Sequence, residues 1–85
     1  MTFIIYTKSE CENCNKAKKI LEKEKTIIFN CDQMLKNNRD EFIKSMELKT
    51  RCPFKTFPAI FIDDNYLGGY EDLVNYLIFD ANEDF

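Results

Sequence analysis

An apolar, β-branched and aromatic run, TFIIYT at residues 2–7, is followed almost at once by a pair of cysteines two residues apart, Cys11 and Cys14. The run reads as a buried strand. The cysteines open a segment over 11–24 in which Cys14, Ala17, Ile20 and Leu21 recur at helical spacing, with Lys and Glu on the other faces. That pattern is an amphipathic helix. Ser9 and Glu12 make the S-x-x-E signature of a capping box at its start. A strand that runs straight into a helix beginning on C-x-x-C commits the chain to an α/β arrangement with a sulfur pair at the junction.

The remaining elements follow from the same cues. TIIFNC at 26–31 reads as a second strand. Asn37, Asn38 and Asp40 precede an expected second helix over 41–48, with Phe42, Ile43 and Met46 as its apolar face. Residues 50–57 are irregular and carry Cys52-Pro53. PAIFI at 58–62 is a third strand, 63–65 a turn, 66–67 a short fourth strand, and Gly68-Gly69 breaks it. A last helix covers 70–79 with Leu73, Val74 and Leu77 inward, and the acidic tail DANEDF is expected to fray. The order is β-α-β-α-β-β-α. The first βαβ unit implies parallel strands joined by a right-handed crossover, and the late tight turn implies antiparallel pairing. Together they predict one four-stranded mixed sheet with three helices covering both its faces.

With 85 residues the chain is expected to be one domain over 1–85, burying about 60–65% of its unfolded surface. Eight Phe and four Tyr argue against disorder. The net charge is −3, Lys alternates with Glu, and no basic block occurs, so no nucleic-acid partner is expected. No apolar run approaches the roughly 18 residues of a membrane span. The N-terminus lacks the basic region of a signal peptide, so a cytoplasmic location is expected. There is no His. That removes Ser-His and Cys-His nucleophile pairs and His metal ligands, and leaves chemistry to cysteines, carboxylates, lysines and tyrosines.

A C-x-x-C beside a βαβ pattern reads as a thiol–disulfide site. Cys11 falls in the first turn of its helix, where free N–H groups and the helix dipole favour a thiolate, so Cys11 is the expected nucleophile. Cys14, about one turn on and more sheltered, is the expected resolving cysteine. Lys8 and Lys18 lie near enough in sequence to stabilise the thiolate further. Glu12 would oppose it, unless its carboxylate reaches back to the Ser9 N–H as the box requires. Two bland readings compete. The pair can be small buried hydrophobes, which its place at a helix start disfavours. It can also supply two zinc thiolates with Cys31 and Cys52, but those are widely separated and form no second C-x-x-C. Cys31 is expected in the core, and Cys52 partly exposed and open to an adventitious disulfide or to glutathionylation.

Phe57-Pro58 begins the third strand. A cis bond there would turn the Phe57 backbone outward beside Cys11 to pair with an extended peptide; a trans bond would merely open the strand. Gly68-Gly69, then Tyr70, Glu71 and Asp72, open the last helix. Glycines permit close backbone approach, helix-start N–H groups bind a carboxylate, and either acid can pair with an ammonium. The α-amino acid end of a γ-glutamyl group carries both charges. The alternative is a tight turn with ordinary first-turn acids.

Over nearly its whole length the sequence resembles a dithiol glutaredoxin. The motifs that carry the resemblance are YTKSECENCNKAKKIL, KTFPAIFID and LGGYEDL, in that order. The resemblance implies a thioredoxin-like fold with Pro58 cis, and a glutathione-dependent thiol–disulfide oxidoreductase. Cys11 would attack a protein disulfide or a glutathionylated protein, and Cys14 or a second glutathione would resolve the mixed disulfide. Lys8 would contact the glycine carboxylate of glutathione, the Phe57 backbone its cysteine, and Gly69, Tyr70, Glu71 and Asp72 its γ-glutamyl end. Glutathione would be the co-substrate, with no metal. The partners implied are disulfide-containing or glutathionylated proteins, with a ribonucleotide reductase as one candidate, and a monomer is expected. Glu12 and Asn13 replace the family's usual active-site Pro and Tyr. Two rival readings are a redoxin reduced by thioredoxin reductase, against which GGYED argues, and a module binding an iron–sulfur cluster with glutathione as added ligand.

Overall fold

A computed structural model describes residues 1–54 and 56–81, the side chains of 79–81 excepted. Of the acidic tail expected to fray, residues 80 and 81 belong instead to the last helix, and residues 82–85 lie outside the described residues. The elements are β1 Phe3–Thr7, α1 Glu12–Ile20, β2 Thr26–Asn30, α2 Asp32–Thr50, β3 Ala59–Ile62, β4 Asn65–Gly68 and α3 Tyr70–Ala81. The strands form one four-stranded sheet in the order β2-β1-β3-β4. β1 and β2 pair in parallel, β1 and β3 antiparallel, and β3 and β4 antiparallel with an irregularity at Ile60/Phe61.

Alternation along the strands sorts side chains onto two faces. Phe3 and Ile5 of β1 and Ile60 of β3 meet Ala17 and Leu21 of α1 and Leu73 of α3 in one core. Ala59 and Phe61 of β3 meet Cys31 and Phe42 and Met46 of α2 in the other, with Ile4 and Tyr6 of β1 packed against them. Helices thus cover both faces, as the sequence predicts. Burying each large side chain such as Phe3, Ile5 or Leu73 contributes about 1.5–3 kcal/mol. The outer strand β2 is less covered: Ile27, Ile28 and Phe29 stay substantially exposed.

The helix boundaries differ from the sequence expectation. α1 stops at Ile20, with Leu21 as its C-cap, because the Thr26 hydroxyl binds the carbonyls of Leu21 and Glu24 and draws the chain into the turn before β2. α2 begins at Asp32, well before the expected residue 41. It is broken at Asn38, whose φ of −155° and ψ of 82° are extended. Asn38 Oδ1 accepts the Glu41 N–H at 3.2 Å, and Asn38 Nδ2 donates to Glu41 Oε2 at 2.9 Å, so Asn38 caps a fresh helical start. The first half of α2 is capped from the strand: Asn30 Oδ1 accepts the Asp32 N–H at 3.0 Å. At the sheet's lower rim Thr2 and Asp63 zip together. The Thr2 N–H donates to Asp63 Oδ1 at 3.0 Å and the Asp63 N–H to the Thr2 carbonyl at 2.8 Å.

Candidate active site

Tyr6 pairs with Ala59 and Ile60 with Gly68, so the end of β1, the start of β3 and the end of β4 share one rim. The loops that leave this rim, residues 8–11, 56–58 and 69, are therefore neighbours, and α1 and α3 start there.

Cys11 is the N-cap of α1, with extended φ of −118° and ψ of 107°. Its Sγ accepts the backbone N–H of Cys14 at 3.3 Å, and lies 3.8 Å from the Phe57 carbonyl, to which the thiol donates. A sulfur at a helix start that accepts a main-chain N–H is placed to carry negative charge. The expected capping box is not made. The Ser9 N–H donates to Asp32 Oδ1 at 2.8 Å, and the Ser9 hydroxyl donates to Asp32 Oδ2. These two bonds hold the Asp32 carboxyl below its usual range. With Ser9 tied to α2, Glu10 turns the chain through a left-handed φ of 56°, a conformation that costs a non-glycine residue about 1–2 kcal/mol. Glu12, freed of the box, faces solvent and meets Lys16 Nζ at 3.6 Å. An exposed pair of this kind contributes at most about 0.5 kcal/mol.

Cys14 is fully buried behind Cys11. Burial, and then the hydrogen bond with Cys11, push its thiol up to about 12. Cys31 is likewise buried, in the α2-side core, and burial raises its thiol to about 11. Cys52 is exposed. Cys31 and Cys52 do not join the C-x-x-C pair, and among the described residues no cluster of three or more Cys, Asp or Glu gathers as a metal site.

The Phe57-Pro58 bond is cis. The Phe57 ring stacks on Phe42 at 6.1 Å and meets Phe54 edge-on at 5.1 Å, and Lys8 Nζ stands 5.9 Å above it. This aromatic block divides two grooves. One, of about 430 Å³, runs past Lys8, Cys11, Glu12, Asn13 and Phe57 to Leu35, Arg39 and Ile43. The other, of about 340 Å³, runs from Asn13 and Phe57 past Pro58 and Tyr66 to Gly69, Tyr70, Glu71 and Asp72. Both fall within the roughly 300–1,000 Å³ of small-molecule sites. The Phe57 N–H donates to no group among the described residues.

At the start of α3 the Gly69 N–H donates to Asp72 Oδ2 at 3.0 Å. The N–H groups of Tyr70, Glu71 and Asp72 have no acceptor within the helix. Of the two glycines only Gly68 is conformationally required: its φ is 138°, and a Cβ there would lie 2.1 Å from Asp72 Oδ2. A Cβ at Gly69 would meet nothing closer than the Pro58 carbonyl at 3.7 Å. The Tyr70 ring carries Lys16 Nζ at 5.8 Å.

The structure thus brings Lys8, Cys11, Phe57, Pro58, Gly69, Tyr70, Glu71 and Asp72 to two joined grooves, with Cys14 directly beneath. Sequence reasoning missed Asp32, Phe54 and Arg39. Asp32 carried a usable signal: the Asn30-x-Asp32 spacing is turn and cap chemistry.

A family model described as Glutaredoxin matches residues 3–67. Glutaredoxin 1 of Rickettsia prowazekii (strain Madrid E) is 37% identical over 76 residues, spanning 87% of this chain and 75% of the relative. Glutaredoxin 1 of Escherichia coli (strain K12) is 28% identical over 90 residues, 91% and 93% of the two chains. Among solved structures, Glutaredoxin 1 from Francisella tularensis superposes with a TM-score of 0.72 at 29% identity, over 95% of this chain and 96% of that one.

Proposed function

The chain belongs to the glutaredoxin family, thiol–disulfide oxidoreductases of thioredoxin-like fold that act through the pair present here as Cys11 and Cys14, and we propose that glutathione is its electron donor and that protein disulfides and glutathione mixed disulfides are its substrates. The observation that carries this reading is that Cys11 Sγ lies in the first groove 3.8 Å from the Phe57 carbonyl, where Phe57 lines both grooves and the second leads on to the start of α3. An extended tripeptide lying along them can present a sulfur to Cys11. Its main chain can pair with the Phe57 N–H and carbonyl, its γ-glutamyl carboxylate can take first-turn N–H groups of α3, and its ammonium can meet Asp72 or Glu71. Lys8, in the lining of the first groove, is available for the glycine carboxylate.

The chemistry balances as follows. Cys11 thiolate attacks one sulfur of a substrate disulfide, and the other sulfur leaves as a thiolate and takes up a proton. Cys14 gives up its proton and attacks the Cys11 sulfur, releasing the second substrate thiol and leaving the Cys11–Cys14 disulfide. Two glutathione thiols then reduce that disulfide, each losing one proton and together becoming glutathione disulfide. With a glutathionylated protein, Cys11 takes the glutathionyl sulfur and releases the protein thiol. A second glutathione regenerates Cys11. Substrate proteins of the ribonucleotide reductase type fit the first route.

The test is a coupled assay on a mixed disulfide of glutathione. Turnover with NADPH, glutathione and glutathione reductase is expected. Turnover only with thioredoxin reductase would refute the glutathione reading and leave the oxidoreductase assignment standing.

A further inference from the structure

Two residues in the sequence compete to start α1. Ser9 has Glu12 three residues on, the pairing of a capping box, while Cys11 accepts the Cys14 N–H on its own sulfur. Both cannot hold. With Ser9 as the cap, residues 10 and 11 become the first helical positions. Glu10 must then leave its left-handed φ of 56°, and Cys11 its extended backbone. The Cys14 N–H would then bond to the carbonyl four residues back, that of Glu10, and Cys11 Sγ would lose its donor.

What decides between them is Asp32. Its carboxylate takes both the N–H and the hydroxyl of Ser9. It is itself fixed, since Asn30 Oδ1 holds its N–H at 3.0 Å and the neighbouring Cys31 N–H donates to the Thr7 carbonyl at the end of β1 at 2.7 Å. We propose that Asp32 is a positioning residue for the attacking sulfur: by withholding Ser9 from the helix start it leaves Cys11 as the N-cap, and so keeps the Cys14 N–H on Sγ.

The charges that share the groove with Cys11 are Lys8, Glu10, Glu12 and Arg39, and all are retained in the variants below. Removing the Asp32 charge alone would favour the Cys11 thiolate. Loss of the cap acts in the opposite direction, so the sign of the effect separates the two.

The experiment is the rate of alkylation of the reduced protein by iodoacetamide as a function of pH, with peptide mapping to assign the modified cysteine. In Asp32→Ala, alkylation of Cys11 at neutral pH is expected to slow about tenfold, the scale of one hydrogen bond to a charged acceptor. Adding Ser9→Ala to that variant removes the competing cap and should restore most of the lost rate, which a merely loosened loop would not do. An unchanged or faster rate in Asp32→Ala, or no recovery in the double variant, overturns the proposal. Asp32→Leu offers Ser9 no acceptor, and serves in the same pair of measurements if Asp32→Ala does not fold. The proposal rests on Cys11 being the attacking thiol. Preferential alkylation of Cys14 in the unaltered protein would defeat that reading and the proposal with it, whereas fast Cys11 alkylation indifferent to Asp32 would defeat the proposal alone.

Discussion

Cys14 gives its backbone N–H to Cys11 Sγ at 3.3 Å while its own thiol is closed off from solvent. One residue thus supports the outer sulfur and holds the inner one in reserve. Cys11→Ser should abolish reduction of both substrate types, a loss of at least about a hundredfold on the scale of removed nucleophiles. Cys14→Ser should lose reduction of protein disulfides but keep deglutathionylation, because glutathione can resolve the mixed disulfide in its place. Full activity of the Cys11 variant in the coupled assay would end this mechanism.

The buried thiols make stability fall in alkali. Cys14 and Cys31 are raised from 9.0 to about 12 and about 11, chiefly by burial. A group whose pKa is higher in the folded state contributes stability that is whole below the unfolded pKa and is lost as pH rises through the folded one. Denaturation midpoints of the reduced protein should therefore hold level up to about pH 9 and fall between there and about pH 12. Cys14→Ser with Cys31→Ser removes both ionisations, and should flatten that fall. An equally steep decline in the double variant would show that other groups cause it.

Asp72 has two tasks that substitution can separate. Asp72→Asn keeps an acceptor for the Gly69 N–H but loses the charge proposed to meet the γ-glutamyl ammonium. Both Asp72→Asn and Asp72→Ala should raise the KM for glutathione about tenfold, as loss of a charged hydrogen bond does. Only Asp72→Ala should also lower stability, by about 1 kcal/mol. An unchanged KM in both would remove Asp72 from the binding site.

Gly68→Ala should destabilise the fold by about 1–3 kcal/mol, because the left-handed backbone and the Asp72 carboxylate both refuse a Cβ. In a domain of this size that lowers Tm by at least roughly 4 °C. Gly69→Ala, where a Cβ would make only an ordinary 3.7 Å contact with the Pro58 carbonyl, should be much milder. Equal effects at the two positions in thermal unfolding would contradict this account.

The strands and the rim they build were legible because their cues are local: β-branched and aromatic runs, a tight turn, a glycine at a break. α2 was only half legible. Asp32 to Asn37 has few apolar residues, and the polar cues Asn37, Asn38 and Asp40 point to a start at 41, where in the structure Asn38 restarts a helix already begun at Asp32. The start of α1 was misread for a different reason. S-x-x-E is a sound local signal, but Asp32, 23 residues further on, takes Ser9 through a contact that no window of sequence contains. The residues of the candidate site come from three separate motifs. Their convergence depends on the pairings of Tyr6 with Ala59 and Ile60 with Gly68. The aromatic block of Phe42, Phe54 and Phe57 was not readable, since each ring taken alone is an ordinary core residue.

The zip between Thr2 and Asp63 closes the sheet at the rim opposite Cys11. The five residues of β1 separate the two rims, a span of about 17 Å. An affinity handle, a fluorophore or a solid support coupled ahead of Met1 would therefore stand a full strand away from the reactive sulfur. Tethered there, the molecule would turn its working end to the bulk solution.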